Sequence, residues 1–247
     1  MHIYDLNRIT LISKVLGLMC DGQFREIQNY LREQSEDINS VNMVGEIASF
    51  LYNFSKKRVL SQQNLLLLIQ LLKALNEFCI GNYKNREVTF NENIVSVINY
   101  VLQIDITKIK KQRHNTVVIS NTVFGGNEGK TDYVQLRRMA LEMKAAAVQL
   151  LDALLEEISN KTSKLSHQIA EGLDIHALHW SMLDFFVLKS DPHLIKIRSE
   201  DNAYRALFDS YKIIMHLVDG GIAPRESLSK DSFPRFCFVI PSMCRAH

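Results

Sequence analysis

A glycine-rich segment ahead of a long helix is the place where phosphate chemistry would be expected first. Residues 125–131 have the sequence GGNEGKT and follow the β-branched run Thr116–Ile119. A phosphate-binding loop of the GxxxxGK[ST] type needs its first glycine for the turn that points backbone N–H groups at phosphate. Phe124 stands at that glycine's position, and Glu128 adds a negative charge inside the loop. The sequence therefore favours a flexible glycine-rich loop over a nucleotide site.

Two histidines are spaced as zinc ligands on a helix sometimes are. His176 and His179 lie three residues apart and so face one way on a helix. Asp174 and Asp184 are the nearest acidic partners, and there is no HExxH pattern. We therefore predict that the two histidines flank Trp180 in partly buried packing and bind no metal.

Carboxylates gather near the end of the longest helical segment. Asp152, Glu156 and Glu157 predict an acidic patch on its polar side. Such a patch is more typical of a solvated helix face than of acid–base catalysis. Because no Ser/His/Asp or Cys/His arrangement has supporting context either, we expect a protein that is not an enzyme, with no catalytic, cofactor-binding or metal-binding residues and no cofactor.

The charge pattern gives little reason to expect a nucleic-acid partner. The chain has 29 basic and 27 acidic residues, a net charge of +2. Basic residues cluster in Lys108–His114 and at residues 56–58, but aromatic side chains, which would stack on bases, are not interleaved with them. We predict plain charged loops and no binding to nucleic acid.

Four cysteines are spread along the chain, and they match no disulfide or metal framework. Cys20, Cys79, Cys237 and Cys244 have no spacing typical of metal ligands, and no secretory leader is visible at the start. We expect reduced thiols in a cytosolic environment.

Apolar residues recur at three- and four-residue steps through most of the chain, which predicts helices. The predicted helices cover residues 6–20, 24–31, 42–54, 62–79, 92–104, 136–158, 163–171, 174–189 and 200–218. The helix over 62–79 is apolar on nearly all sides and should be buried. Its richest run, Leu65–Ile69, is far shorter than the roughly 20 apolar residues of a membrane span, so no transmembrane segment is expected.

The helix over 136–158 has a broad apolar face that other helices must cover. This face comprises Leu136, Met139, Ala140, Met143, Ala147, Leu150, Leu151, Leu154, Leu155 and Ile158.

The segments between and after the helices complete the predicted organisation. A long loop near 105–131 is either a disordered insertion or a site. Residues 1–219 form one helical domain with that loop inserted, and residues 220–247 form a linker and the truncated start of a following segment. The predicted fold is all-α, an armadillo-like α-solenoid of antiparallel helix pairs with an irregular C-terminal tail. A central sheet around residues 116–131 would contradict it.

Three segments in the same order and spacing resemble intracellular calcium-release channels. They are residues 18–32 (LMCDGQFREIQNYLR), 71–82 (LLKALNEFCIGN) and 141–156 (LEMKAAAVQLLDALLE). The region 6–190 is similar to the homology-associated domain of ryanodine and inositol trisphosphate receptors. Residues 238–243 (FVIPSM) resemble a Pro-Ser segment of the inositol trisphosphate branch. The chain departs from the family after Gly81, where Asn82 and Tyr83 stand in place of proline and cysteine.

The resemblance implies a cytosolic helical segment that relays conformational change toward the pore of a ligand-gated calcium channel. It implies a homotetramer at the cytosolic face of the endoplasmic reticulum membrane, with neighbouring domains of the same subunit as partners. The chain would then be a fragment of such a subunit, with apolar surface left exposed. The alternative is an independent armadillo-like adaptor, without channel activity, that binds partner helices in a groove.

Overall fold

A computed structural model describes residues 3–57, 61–106, 116–119, 122–125, 133–156, 164–188 and 200–221. These residues form helices and one pair of strands. The helices are α1 (Ile3–Met19), α2 (Arg25–Arg32), α3 (Met43–Ser55), α4 (Gln62–Cys79), α5 (Tyr83–Asn91), α6 (Ile94–Leu102), α7 (Tyr133–Leu155), α8 (Lys164–Gly172), α9 (Ile175–Leu188) and α10 (Glu200–Asp219). The strands are β1 (Thr116–Ile119) and β2 (Thr122–Gly125).

The helices stack in two layers. In one layer α1 packs on α4, α4 on α7, and α7 on α10. In the second layer α3 packs on α6 and α6 on α9, and each of these three also contacts its neighbour in the first layer. The predicted all-α, solenoid-like fold is confirmed, since each helix contacts mainly the helices adjacent in the stack.

Helix α4 lies at the centre of the described fold, between α1 and α7. Its N-terminus is capped by Ser61, whose hydroxyl accepts a hydrogen bond from the backbone N–H of Asn64 at 3.2 Å. Leucines on every side of the helix are buried because α3 also covers it, whereas Leu66 is about half exposed. The prediction of a helix over 62–79 buried on nearly all sides is confirmed.

Helix α1 approaches α4 closely because Gly17 has no side chain. A Cβ atom at Gly17 would lie 3.3 Å from the Cα of Ala74 on α4. The pair of small residues therefore sets the separation of the two helices.

The predicted apolar face of α7 is buried at every position that the structure describes, and Ile158 lies outside the described residues. Burial extends to Ala145, Ala146 and Val148, because α4, α6, α9 and α10 all pack against this helix. Helix α7 is thus covered on more than the one side predicted.

Helix α5 was not predicted, because its sequence YKNREVTFN has no apolar stripe. Capping starts it instead: the side chain of Asn82 accepts a hydrogen bond from the backbone N–H of Asn85 at 3.2 Å. Burial of Asn85, Arg86 and Thr89 then holds it in place.

A β-hairpin lies within the segment predicted as a long loop. Strands β1 and β2 pair antiparallel, with Thr116 opposite Gly125 and Ile119 opposite Thr122. The β-branched run favours extended backbone, and eight residues of the predicted long loop near 105–131 therefore form a hairpin. Among the described residues these two strands form the whole sheet. The central sheet that would have contradicted the helical fold is therefore not found in the described residues.

Candidate functional site

Four polar side chains meet where α2 crosses the turn between α4 and α5. Gln28 and Arg32 come from α2, Asn82 caps α5, and Asn85 lies in its first turn. We call this cluster the polar joint. Three of its members, Gln28, Asn82 and Asn85, are at most 2% exposed. Buried amides are stable only when hydrogen-bonded, so their contacts determine how the helices are held together.

Gln28 closes the C-terminal end of α4. Its side-chain Nε2 donates to the carbonyl oxygens of Glu77 at 2.7 Å and Ile80 at 3.0 Å, and its Oε1 accepts from Nδ2 of Asn82 at 3.3 Å. The last carbonyls of a helix have no partner within the helix. Gln28 therefore supplies from α2 the donors that the end of α4 needs.

Asn85 connects the same helices from the other side. Its Nδ2 donates to the carbonyl oxygens of Gln28 at 3.0 Å and Phe78 at 2.8 Å, while its Oδ1 accepts from Arg32 at 2.7 Å. The arginine also donates to Oδ1 of Asn29 at 3.1 Å. One buried amide thus holds α2, α4 and α5 in a fixed arrangement.

The end of α7 is attached to the same turn through Glu156. Its Oε2 accepts a hydrogen bond from the backbone N–H of Gly81 at 2.7 Å, and its carbonyl oxygen accepts one from Arg86. Arg86 is buried, and burial lowers the pKa of its guanidinium, while the charge of Glu156 acts in the opposite direction. The joint and this attachment link α2, α4, α5 and α7 through one turn.

Gly81 at this turn has a φ of +70°, a conformation that L side chains rarely adopt. A Cβ there would also lie 3.3 Å from Oε1 of Gln23. We expect Gly81→Ala to lower the free energy of unfolding by about 1–2 kcal/mol, measured by urea denaturation. Gly22→Ala is the control for φ alone, because its φ is +72° with open space around it. An equal loss in both variants would mean that the contact with Gln23 has no effect.

Beside the joint, a groove of about 690 Å³ lies between α4, α7 and α10. Charged side chains face it from all three helices: Glu77 from α4, Asp152 from α7, and Asp209 and Lys212 from α10. Nζ of Lys212 lies 2.6 Å from Oδ2 of Asp152, which ties α10 to α7 across the groove. Burial raises the pKa of Glu77 and of Asp209, and the neighbouring Asp152 raises that of Asp209 further.

Asp209→Asn should make the chain more stable at pH 7. Because the native state raises the pKa of Asp209 above its ordinary value of 3.8, ionisation of this carboxyl disfavours the folded chain. The advantage of the asparagine variant should shrink as the pH falls from that raised pKa to below 3.8, where the carboxyl is protonated in both states. Urea unfolding at several pH values measures the difference in free energy of unfolding between the variant and the wild-type chain. An advantage that grew on acidification would contradict the assignment.

A second polar contact holds the two layers together away from the groove. Lys144 of α7 is 1% exposed, and its Nζ donates to Oδ2 of Asp184 on α9 at 2.5 Å and to the carbonyl oxygen of Leu102 at 2.8 Å. Burial lowers the pKa of Lys144, and it raises that of Asp184 despite the lysine. The pair fixes α6, α7 and α9 relative to one another.

The predicted histidine pair does not pack as expected. His176 and Trp180 are exposed, Trp180 by 67%, and His179 alone of the three is partly buried. Burial lowers the pKa of His179, and His176 adds to this effect. Asp174 caps α9 by accepting from the backbone N–H of Ala177 at 2.9 Å. In the described residues no three His, Cys, Asp or Glu side chains are grouped as metal ligands.

The acidic patch predicted on α7 is not simply a solvated face. Asp152 pairs with Lys212 and Glu156 binds the Gly81 N–H, so both carboxylates join helices. Glu157 lies outside the described residues. The sequence missed these roles because the partners lie 60 and 75 residues away in the chain.

Cys20 and Cys79 are free and buried, as expected for reduced thiols. Burial raises the pKa of Cys20 to about 11 and that of Cys79 to about 12.

Several predictions lie outside the described residues: the GGNEGKT segment beyond Gly125, the basic residues 108–114, Arg58, and Cys237 and Cys244. None of the helices within the described ranges combines the length and the hydrophobicity that a membrane span requires.

The geometry gives the class of the protein, which is an α-solenoid segment. Residues within the segments that carry the resemblance, such as Gln28 and Glu156, join its helices. Residues 4–102 match the family described as "RyR and IP3R Homology associated". This segment contains the polar joint and two of the three segments on which the resemblance was based. The predicted resemblance is confirmed, since residues 4–102 are similar to this family.

The chain is also similar to a curated protein, the inositol 1,4,5-trisphosphate receptor itr-1 of Caenorhabditis elegans. The two are 27% identical over 209 residues, which cover 77% of this chain and 6% of the worm protein. An alignment of that extent reaches well past residue 102. The chain thus spans a small part of the length of the relative it matches.

Proposed function

We propose that this chain is a cytosolic helical segment of an intracellular ligand-gated calcium-release channel subunit of the inositol trisphosphate receptor type. It relays conformational change toward the pore and catalyses no reaction. In the complete channel it belongs to a homotetramer at the cytosolic face of the endoplasmic reticulum membrane, where its partners are neighbouring domains of the same subunit.

The polar joint is the observation that supports this proposal most directly. Gln28 and Arg32, from the first of the segments that resemble the family, bind α2 to the end of α4 and to the Asn82 cap of α5. Glu156, from the third family-like segment, attaches α7 to the same turn. A displacement of α2 is then transmitted to α4 and α7 as movement of a nearly rigid body, which is how stacked helices relay motion.

A chimeric receptor tests the proposal. The segment of the worm receptor that aligns with this chain would be replaced by the matching residues of this chain, and inositol trisphosphate-evoked calcium release from microsomes would be measured. We expect release from the chimera, and a strong reduction when Asn85→Ala breaks the joint. Asn53→Ala is the matched control, because Asn53 is exposed on α3 and donates only to the carbonyl of Ser49 in its own helix.

Tetramer assembly, measured by size-exclusion chromatography with light scattering, distinguishes a chimera that fails to assemble from one that assembles but does not release calcium. An assembled wild-type chimera that releases no calcium would contradict the channel assignment and favour the independent adaptor. An assembled Asn85→Ala chimera that releases calcium at the full rate would contradict the relay through the joint.

A further inference from the structure

Arg86 of α5 is a buried cation whose hydrogen bonding is only partly satisfied. It is 2% exposed, and its Nη1 donates to the carbonyl oxygen of Glu156. Its Nε and Nη2 are buried as well, and neither has a hydrogen-bond partner among the described residues. Buried charges in proteins are normally paired, and buried donors normally find an acceptor. The guanidinium therefore has two donors that remain to be satisfied.

The two remaining donors of Arg86 form a fork that suits a carboxylate. Nε–H and one N–H of Nη2 lie on the same edge of the planar guanidinium and point in parallel directions. A carboxylate can accept from such an edge with both of its oxygens, and this bidentate geometry gives the strongest pairs between arginine and an acidic side chain. The acceptor best matched to the unpartnered edge of Arg86 is thus a carboxylate.

Glu156 has the carboxylate that can reach this edge. Among the described residues it is the one carboxylate whose charge acts on Arg86, where it opposes the effect of burial on the pKa. Because Arg86 already contacts the carbonyl oxygen of Glu156, the carboxylate of the same residue lies no more than one side-chain length away. Glu156 is exposed and directly follows the end of α7, so its side chain can change rotamer without disturbing packed neighbours.

The same carboxylate has a different partner in the structure. Oε2 of Glu156 accepts a hydrogen bond from the backbone N–H of Gly81 at 2.7 Å, in an exposed position. One acceptor group thus has two competing donors, the N–H of the turn and the fork of Arg86. Water can solvate the exposed N–H of Gly81 when the carboxylate leaves, so a change of partner leaves no buried group without a hydrogen bond.

We infer that Glu156 alternates between two partners, the backbone N–H of Gly81 and the Nε–Nη2 edge of Arg86. When it binds Gly81, it attaches the end of α7 to the turn between α4 and α5, which also carries Asn82 of the polar joint. When it binds Arg86, it attaches α7 to α5 alone and leaves the turn free to move. This inference rests on the proposed function, and it names a local two-state element that couples α7 to the relay or uncouples it.

Hydrogen exchange of the Gly81 amide, measured by NMR on the isotope-labelled full chain, tests the inference. The test variant is Arg86→Gln, whose side-chain amide can still donate to the carbonyl oxygen of Glu156 but has no charge to compete for its carboxylate. The control, Arg138→Gln, makes the same change at an exposed position of α7. Circular dichroism and the exchange of Leu72, in the core of α4, check that each variant is folded.

We expect the Gly81 amide to exchange at least about threefold more slowly in Arg86→Gln than in the wild-type chain, because the variant removes the arrangement in which that amide is open to water. The control should exchange at the wild-type rate. A single fixed position of Glu156 predicts no such slowing, since the loss of a contact with α7 can only loosen the turn. Unchanged or faster exchange at Gly81 in Arg86→Gln would therefore overturn the inference.

The side chain of Arg86 gives a second measurement that leaves this residue unchanged. The NMR resonance of its Nε–H is compared between the wild-type chain and Glu156→Gln, whose amide oxygen can accept from Gly81 but forms no ion pair. A salt bridge that is populated part of the time should place the wild-type resonance downfield of that in the variant. Coincident resonances would overturn the inference, even if Arg86→Gln failed to fold.

The chimeric receptor separates this inference from the proposed function. A wild-type chimera that assembles but releases no calcium would contradict the proposed function, whereas the two NMR measurements on this chain still decide whether Glu156 alternates. If the wild-type chimera releases calcium, the Arg86→Gln chimera should need less inositol trisphosphate for half-maximal release, because α7 stays attached to the turn. An unchanged requirement, despite slower exchange at Gly81, would contradict the coupling assigned to the two positions.

Discussion

An Asn85→Ala variant is expected to lose about 3 kcal/mol of its free energy of unfolding. The substitution removes three hydrogen bonds and leaves the carbonyl oxygens of Gln28 and Phe78, and the guanidinium of Arg32, without this partner. A buried polar group left unsatisfied costs about 1–3 kcal/mol, so the loss exceeds that of an ordinary single hydrogen bond. Urea denaturation followed by far-UV circular dichroism measures it.

Asn53→Ala is the control for loss of an asparagine side chain as such. Asn53 is exposed on α3, and we expect its substitution to change stability by less than about 0.5 kcal/mol. If Asn85→Ala lost no more than this control, the polar joint would not be what holds α2, α4 and α5 together, and the relay proposed through it would lose its physical basis.

The second large effect is expected at the buried ion pair of Lys144 and Asp184. Asp184→Leu leaves a buried ammonium whose remaining hydrogen bond goes to the carbonyl oxygen of Leu102. Lys144→Met leaves a carboxylate that is only 14% exposed. We expect each single substitution to destabilise the chain by about 3–5 kcal/mol, because it leaves the other buried charge without its hydrogen-bonded counterion.

The double variant distinguishes an ion pair from two independent contacts. Replacing both charges with apolar side chains of similar size removes the desolvation cost together with the attraction, so the double variant should recover most of the stability lost by either single change. A double-mutant cycle by urea denaturation measures the coupling. Additive losses would mean that the two side chains act independently, despite the 2.5 Å distance between Nζ and Oδ2.

The periodicity of the sequence was enough to predict most helices. Apolar residues at three- and four-residue steps predicted α4 over its observed bounds, Gln62–Cys79, and α7 to within a few residues of Tyr133–Leu155. This succeeds because a helix buried against its neighbours must have apolar side chains at those steps. The same rule missed α5, which is held by the Asn82 cap and by buried polar residues.

The sequence by itself determined that the chain is a stack of helices and that three of its segments resemble calcium-release channels, because periodicity and motif are local properties. Only the tertiary structure decided what the polar residues do. It brings Gln28 to the end of α4, Glu156 to the N–H of Gly81, and Lys144 to Asp184. Each contact joins residues 40 to 75 positions apart. No local pattern marks such pairs, because a buried polar side chain is distinguished from an exposed one only by the helices that pack around it.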